Sequence, residues 1–360
     1  MQVLLQIIGS LLVLIALVDV YLTVLYPRAE SSLLSILIAQ GIWKLFRVAA
    51  QGLSKRKRDR FLSYGAPTII IAIIGTWILL LLLGFALIVW VGLGTGIQSE
   101  QGETPTDFIT ALYYAGFSLS TLGIGDLAPQ TASYRLLMVL KSMLGFSAVT
   151  LTISYMLAIY SNLTSRNAFA LSLHHRTADT ANSVELLARL AAANNTNNLN
   201  QNISEIARNV MQILESNNSY PVLFFFRYRQ KYYALSRIAY LTLDVATLIK
   251  STLDYEQYRS IIDSSSTAEL WFSGNHLVKE LCQTLLPKVR VLPQEMDEPL
   301  WREHYYQALE RLKTEGIIVV NDPEAGADLY ISMRREWALY LAKLLKYMAY
   351  EPGSIFSGEY

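Results

Sequence analysis

Three long apolar runs dominate the first half of the chain. Residues 3–26, 67–94 and 134–162 each reach or exceed the ~20 residues that a helix needs to cross a bilayer. The second run, from Pro67 through Trp90-Val91, holds no charged residue. A fourth apolar run, 33–50, carries Lys44 and Arg47, which predicts a helix lying at the membrane surface. The alternative makes 33–50 a further, tight span. Beyond residue 163 the pattern becomes amphipathic, with polar loops between helical stretches.

Charge follows the same division. Residues 1–163 contain ten Lys/Arg and seven Asp/Glu, whereas residues 164–360 contain twenty and twenty-two. The first half reads as a membrane protein and the second as a soluble domain large enough for its own core. Lys55-Arg56-Lys57-Arg58, with Arg60, directly precedes the 67–94 run, so that end should be cytoplasmic. The chain then crosses outward, returns through 134–162, and leaves its C-terminal half in the cytoplasm. The first span should have its N-terminus outside if 33–50 lies at the surface, and inside if 33–50 also spans. A net charge of +1 argues against a nucleic-acid partner. The one cysteine, Cys282, excludes an intrachain disulfide and reads as a buried structural thiol.

The chemistry is concentrated between the second and third spans. Thr106-Asp107-Phe108 opens a short helical stretch with a residue suited to the N-cap. Ala111-Leu112-Tyr113-Tyr114 follows, then Ser118-Leu119-Ser120-Thr121-Leu122-Gly123-Ile124-Gly125-Asp126, then Leu127-Ala128-Pro129. A cation filter must replace water with backbone carbonyl oxygens, and glycines supply the φ/ψ values that aim successive carbonyls at one axis. Residues 111–129 resemble the pore loop of the potassium channel superfamily, and the wider resemblance covers about 67–163. It implies that the carbonyls of Thr121, Leu122, Gly123, Ile124 and Gly125 ligate permeant potassium ions. Ser120 and Asp126 would stand at the filter ends, Tyr113 and Tyr114 in the aromatic cuff, and Gly145 at the inner-helix hinge. Two positions depart from the family. Ile124 stands where an aromatic ring usually braces the filter. Phe117 stands where several members place a Glu that pairs with the filter Asp. Because one loop cannot encircle an ion, the resemblance implies a homotetramer.

The expected architecture is therefore a membrane all-α, tetrameric pore-loop channel. An N-terminal span (1–30) leads to an interfacial helix and basic cytoplasmic linker (31–66). The pore domain (67–163) comprises an outer helix 67–94, pore helix 106–119, filter 120–126 and inner helix 134–162. Residues 164–360 form a mostly helical cytoplasmic regulatory domain. The loop 95–107 holds Glu100, Glu103 and Asp107 without Lys or Arg, an acidic mouth that would concentrate cations. No span carries Arg or Lys at every third position, so no voltage sensor is visible. Asp19 and Lys141 are ionisable residues inside spans, which by default marks function. At 1.5 Å per residue Asp19 lies roughly 24 Å into its helix and Lys141 about 10 Å below the outer end of its own. These depths do not match with the N-terminus outside, so the two are not expected to pair. Lys141 would snorkel outward or touch the pore helix, and Asp19 would bond a neighbouring helix or face the inner interface.

In the second half, helices are expected at 164–194, 200–215, 221–253, 266–286 and 299–314, with a closing helix from about Arg334 to Tyr350. Asn194 to Asn202 reads as a loop. Ile317-Ile318-Val319-Val320 and Leu329-Tyr330-Ile331, around Asn321-Asp322-Pro323-Glu324-Ala325-Gly326, read as a small β-hairpin. No dinucleotide-binding turn, phosphate loop or EF-hand spacing is present. His174-His175 diverge by about 100° on a helix and should form a solvated face rather than a metal site. Phe224-Phe225-Phe226-Arg227-Tyr228-Arg229-Gln230-Lys231-Tyr232-Tyr233 fits either anionic lipid headgroups or, more simply, a core helix with basic edges. The functional expectation is a passive potassium-preferring channel with no cofactor beyond the permeant ion, no enzyme chemistry, and an unidentified cytoplasmic ligand or protein partner. A weakly selective cation channel and a non-conducting membrane sensor or scaffold are the competing readings.

Overall fold

The structure is a computed structural model that describes residues 2–26, 32, 34–100, 102–192, 196–286 and 297–351. Pro27-Arg28, expected to close the first span, and Asn194-Asn195 of the Asn-rich run lie outside them. The chain divides into two compact units, Met1–Lys44 with Ala66–Tyr160, and Leu45–Gly65 with Ser161–Tyr360.

In chain order, α1 (Gln2–Val20) is prolonged by a π-helical turn at Tyr21–Leu25, followed by α2 (Ser35–Ala49), α3 (Lys55–Leu62) and α4 (Gly65–Trp90). Then come β1 (Ile97–Ser99), α5 (Phe108–Leu119), β2 (Leu127–Pro129) and α6 (Ala132–Arg176). Among the described residues three helical stretches are long and apolar enough to cross a membrane: Gln2–Leu25, Lys55–Trp90 and Ala132–Arg176.

In the first unit, α1 runs antiparallel to α4. Gly9 meets Gly84 so closely that a Cβ on either would collide with the other's carbonyl. Ten residues further along α1, Asp19 meets Trp77, seven residues back along α4. Small residues at a crossing are how apolar helices approach without a hydrophobic driving force. Asp19 is fully buried, and its Oδ2 accepts the Trp77 indole N–H at 2.7 Å and the Ser35 hydroxyl at 2.8 Å. Its Oδ1 accepts the Leu34 backbone N–H at 2.7 Å. One carboxylate thus caps the start of α2 and bonds α4, which answers the burial cost that an unpaired intramembrane acid would carry. Strands β1 and β2 pair antiparallel, Gln98 opposite Ala128, and tie together the two ends of the loop that holds α5.

In the second unit, the C-terminal part of α6 is followed by α7 (Ser183–Ala191), α8 (Thr196–Ser219), 3-10 turns at Pro221–Phe225 and Lys231–Tyr233, and α9 (Leu235–Thr252). α10 (Tyr255–Ile262), α11 (Ser265–Leu285), α12 (Glu298–Thr314) and α13 (Pro323–Tyr347) complete it. Every residue of α9 from Leu235 to Ile249 is buried, as expected of a helix enclosed on all sides. Its hydroxyls bond back to its own carbonyls, Thr242 to Ile238 and Thr247 to Leu243. Its carboxylate, Asp244, accepts from Ser183, from Tyr330 at 2.6 Å and from Arg334 at 3.0 Å, and lies 3.2 Å from His304 Nε2. Arg334 is in turn surrounded by the rings of Tyr240, Trp301, Tyr330 and Trp337.

Several expectations for this half are corrected. The hairpin at 317–331 does not form. Asp322 caps the N–H groups of Glu324 and Ala325, Pro323 takes the first helical position, and α13 begins there rather than near Arg334. Residues before it are extended but pair with the end of α9, Val320 N–H donating to Thr252 O at 2.9 Å. The 164–194 helix is interrupted: α6 ends at Arg176, Ala178 and Asp179 have positive φ, and Asn182 caps α7. Thr196 to Asn202 is helix rather than loop, because Leu199 and Ile203 bury one face while the asparagines take the other. The 221–253 helix is two 3-10 turns followed by α9. Pro221 starts the first turn, and Phe224, Phe225 and Arg227 are buried, so this segment is core and not a lipid-facing surface.

Two outcomes follow. Asp19→Ala leaves the Trp77 indole and the Ser35 hydroxyl without their acceptor, and should cost about 1–3 kcal/mol in the detergent-solubilised chain, read as a fall in thermal midpoint. Asp244 is pushed up by burial, but Arg334 and the hydrogen bonds from His304 and Ser183 outweigh this and hold its carboxyl well below the usual range. Its contribution to stability is therefore present above the unfolded Asp value, about 3.9, and is lost as pH falls below it. Asp244→Asn should destabilise the second unit by about 3 kcal/mol or more and flatten the acid limb of its pH–stability curve, measured by thermal unfolding from pH 3 to 7.

Candidate functional site

The segment 120–126, the expected filter, follows directly on α5, which sets its starting point. Asp107 begins that helix by accepting the Thr110 N–H at 2.9 Å and the Thr110 hydroxyl at 2.8 Å. One face of α5 is buried with Val89, Leu93, Ile97 and Leu127 around Ala111, Tyr114 and Phe117. The helix ends at Leu119, so its negative dipole end faces the residues that follow. Ser120 N–H closes the last turn onto Gly116 O, and Leu122 N–H reaches Phe117 O at 3.1 Å.

From there the backbone leaves every regular pattern. Thr121, Gly123 and Gly125 have φ of 59°, 58° and 84°. A positive φ at each second residue forbids helix and strand alike. Among the described residues, no donor reaches the carbonyl oxygens of Thr121, Leu122, Gly123, Ile124 or Gly125. These five residues are also exposed in the single chain. Five consecutive carbonyls without a hydrogen-bond partner among the described residues thus follow the negative end of a helix, the kind of group that can serve a cation in place of water.

The segment is held from behind. Ser142 of α6 donates to Ser118 O at 3.1 Å. Gly145 packs directly under the Leu119 carbonyl, and a Cβ there would overlap that oxygen. Lys141 is fully buried, with Nζ 4.0 Å from the centre of the Tyr114 ring. Its intramembrane charge therefore touches the pore helix rather than snorkelling outward. Among the described residues neither Lys141 Nζ nor the Tyr114 hydroxyl has a hydrogen-bond partner. Phe117 stands between Tyr113 and Tyr114, 5.2 Å from each ring centre. The Asp126 carboxylate, whose usual Glu partner is absent here, faces the Tyr113 hydroxyl.

Asp19 lies with α1, α2 and α4 and takes no part in this site. His174 is buried, stacked on Tyr232 with ring centres 4.5 Å apart, so of the histidine pair His175 alone is solvated. Cys282 is buried and its thiol reaches Tyr340 O at 3.3 Å; burial pushes that thiol up to about 12 and makes it a poor nucleophile. The Ser183–Asp244–His304 constellation was not legible beforehand, because its members lie about 60 residues apart and none sits in a motif. Asp244 lies between the other two, so the imidazole bonds the acid and not the hydroxyl.

Gly145 gives a direct test. Gly145→Ala must displace the end of α5, at a cost of about 1–3 kcal/mol, and should lower both thermal stability and ion flux. A glycine needed solely as a bend would leave stability almost unchanged.

Residues 76–162 match the Ion_trans_2 family, described as "Ion channel". The chain is also 23% identical over 256 residues to the "Uncharacterized membrane protein YdjJ" of Bacillus subtilis (strain 168), a similarity covering 70% of this chain and 71% of that protein. No solved structure matches significantly. The stretch matched by the family contains α5, the five unpartnered carbonyls and most of the lengths of α4 and α6 that flank them. Residues 76–162 are thus a two-helix, pore-loop segment of the ion-channel type, within a membrane protein.

Proposed function

We propose that the protein is a passive, potassium-preferring channel in which four copies bring their 121–125 segments around one axis. The observation that carries this reading is the row of five carbonyls without hydrogen-bond partners. A cation entering the filter loses its hydration shell and takes carbonyl oxygens instead, and a neighbouring cation repels it onward. Glu100, Glu103 and Asp107, before the pore helix, raise the local cation concentration at the outer mouth. The ion is the permeating substrate, and the protein contributes dipoles rather than a reacting group.

The proposed orientation rests on the basic segment. Lys55 to Arg60 belongs to the same compact unit as residues 161–360, and clusters of Lys and Arg beside a span favour the cytoplasmic side. This supports a cytoplasmic second unit and, because α1 is antiparallel to α4, an external N-terminus. The second unit contains the end of α6, which gives a cytoplasmic ligand or protein a physical route to the inner helix.

Ile124 favours a second reading. Its exposed aliphatic side chain cannot hydrogen-bond to the pore helix, so the filter lacks one of the struts that fix its width, and sodium would then permeate as well. Purified protein in liposomes, studied under opposed potassium and sodium gradients beside Gly123→Asp, separates the two. A reversal potential near that of potassium, abolished by the substitution, is the expected result. Comparable permeation of both ions would establish the weakly selective channel. Silence in a stably folded tetramer, across the ligands tried, would favour a non-conducting sensor.

A further inference from the structure

α3 carries more positive charge than the fold neutralises. Its sequence places Lys55, Arg56, Lys57, Arg58 and Arg60 within six positions, immediately before α4. Among the described residues two acids meet this cluster, and both are already engaged. Asp59 is held by the buried Arg227, Oδ1 to Nη2 at 2.6 Å, while Arg227 also donates to Met348 O at 3.0 Å and stacks on Tyr350. Glu351 is shared between Lys55 and Arg58, at 2.8 Å from each. Arg56 and Lys57 are exposed and have no acidic partner among the described residues. Arg60, also exposed, reaches only the Tyr64 hydroxyl, at 3.4 Å.

The turn between α2 and α3 adds an apolar component. Phe46 and Phe61 stack with ring centres 4.9 Å apart and fix the two helices against each other. Leu45, Val48, Leu53 and Tyr64 remain exposed around that staple. Cations beside exposed aliphatic and tyrosine side chains, a few residues from the start of a membrane span, match the chemistry of a bilayer surface. There the headgroups are anionic and the acyl chains lie just below.

The geometry points to an anionic-phospholipid site on α3, built from Arg56, Lys57 and Arg60, with Glu351 as its internal competitor. A phosphate-bearing headgroup neutralises Arg56, Lys57 and Arg60, which have no acidic partner among the described residues. By drawing Lys55 and Arg58 as well, it displaces Glu351, four residues beyond the end of α13. Occupancy of the site therefore loosens the clasp from α3 to Glu351, while the buried Asp59–Arg227 clasp remains. The inference rests on the membrane placement of α4 and not on conduction.

The test uses the full chain in uncharged detergent. It is titrated with phosphatidylglycerol or with phosphatidylcholine of the same acyl length, and binding is read from the shift in thermal midpoint. The expected result is a lower half-saturating concentration for phosphatidylglycerol, weakened by added salt. Arg56→Gln with Lys57→Gln should raise that concentration by roughly 5-fold per charge, about 25-fold for the pair, with the lipid-free midpoint unchanged because neither side chain has an acidic partner among the described residues. Glu351→Gln should act in the opposite direction and tighten binding. Equal responses to the two lipids, or wild-type affinity in the double variant, would overturn the site. An equal shift with inorganic phosphate would replace the lipid by a free anion and so overturn it too. Unchanged affinity in Glu351→Gln would remove the competition. Should the double variant fail to fold, wild-type discrimination between the lipids and its salt dependence decide the matter.

Discussion

A backbone carbonyl with no donor to bond is a costly group wherever water is scarce, and among the described residues Thr121 to Gly125 hold five in succession. The rest of the pore segment is arranged around that cost. α5 is anchored at its start by Asp107 and at its end by α6, so the strain-bearing residues after Leu119 begin from a fixed point. The apolar residues Val89, Leu93, Ile97 and Leu127 enclose the face of that helix that carries Ala111, Tyr114 and Phe117. The short β1–β2 pair closes the loop on the far side. None of these contacts touches an ion; each restricts where the carbonyls can point.

Holding the filter from behind uses close backbone approach more than side-chain bulk. Gly145 lets the inner helix lie directly against the pore-helix terminus, and Ser142 satisfies a carbonyl one residue earlier. Lys141 adds a charge–ring contact on Tyr114. The combination offers a physical substitute for what Ile124 cannot supply. On the proposed reading, contacts between α5 and α6 would take over the bracing that an aromatic at position 124 would provide.

The pore was legible in the sequence because its determinants are local. The capping Asp107, the paired tyrosines and the alternating glycines occupy some twenty consecutive positions, and each has a backbone consequence that needs no distant partner. The second unit was read less well for the complementary reason. The β-branched run at Ile317 to Val320 has strand composition, but its hydrogen bonds go to the end of α9, a pairing invisible from spacing. Asn321-Asp322-Pro323 has turn composition, and the same residues make a good helix start; burial of Tyr330 and Trp337 decides between them. Asp244 is one acid in a mostly polar domain until four groups converge on it from three other helices. Arg227 read as the basic edge of an aromatic run, and it is instead the buried end of a clasp to Asp59.

The carboxylate of Asp19 has a consequence for the order in which the protein is made. Its acceptor sites are filled by Ser35, sixteen residues later, and by Trp77, fifty-eight residues later. At roughly 5–20 residues per second, the indole arrives about 3 to 12 s after the acid has been synthesised. During that interval the first helix carries an incompletely satisfied acid and has no complete place in the hydrocarbon interior. Asp19 gains its bond to the Trp77 indole only once α4 has emerged. The first span and the outer helix are in this sense a single cargo, delivered to the bilayer as a pair.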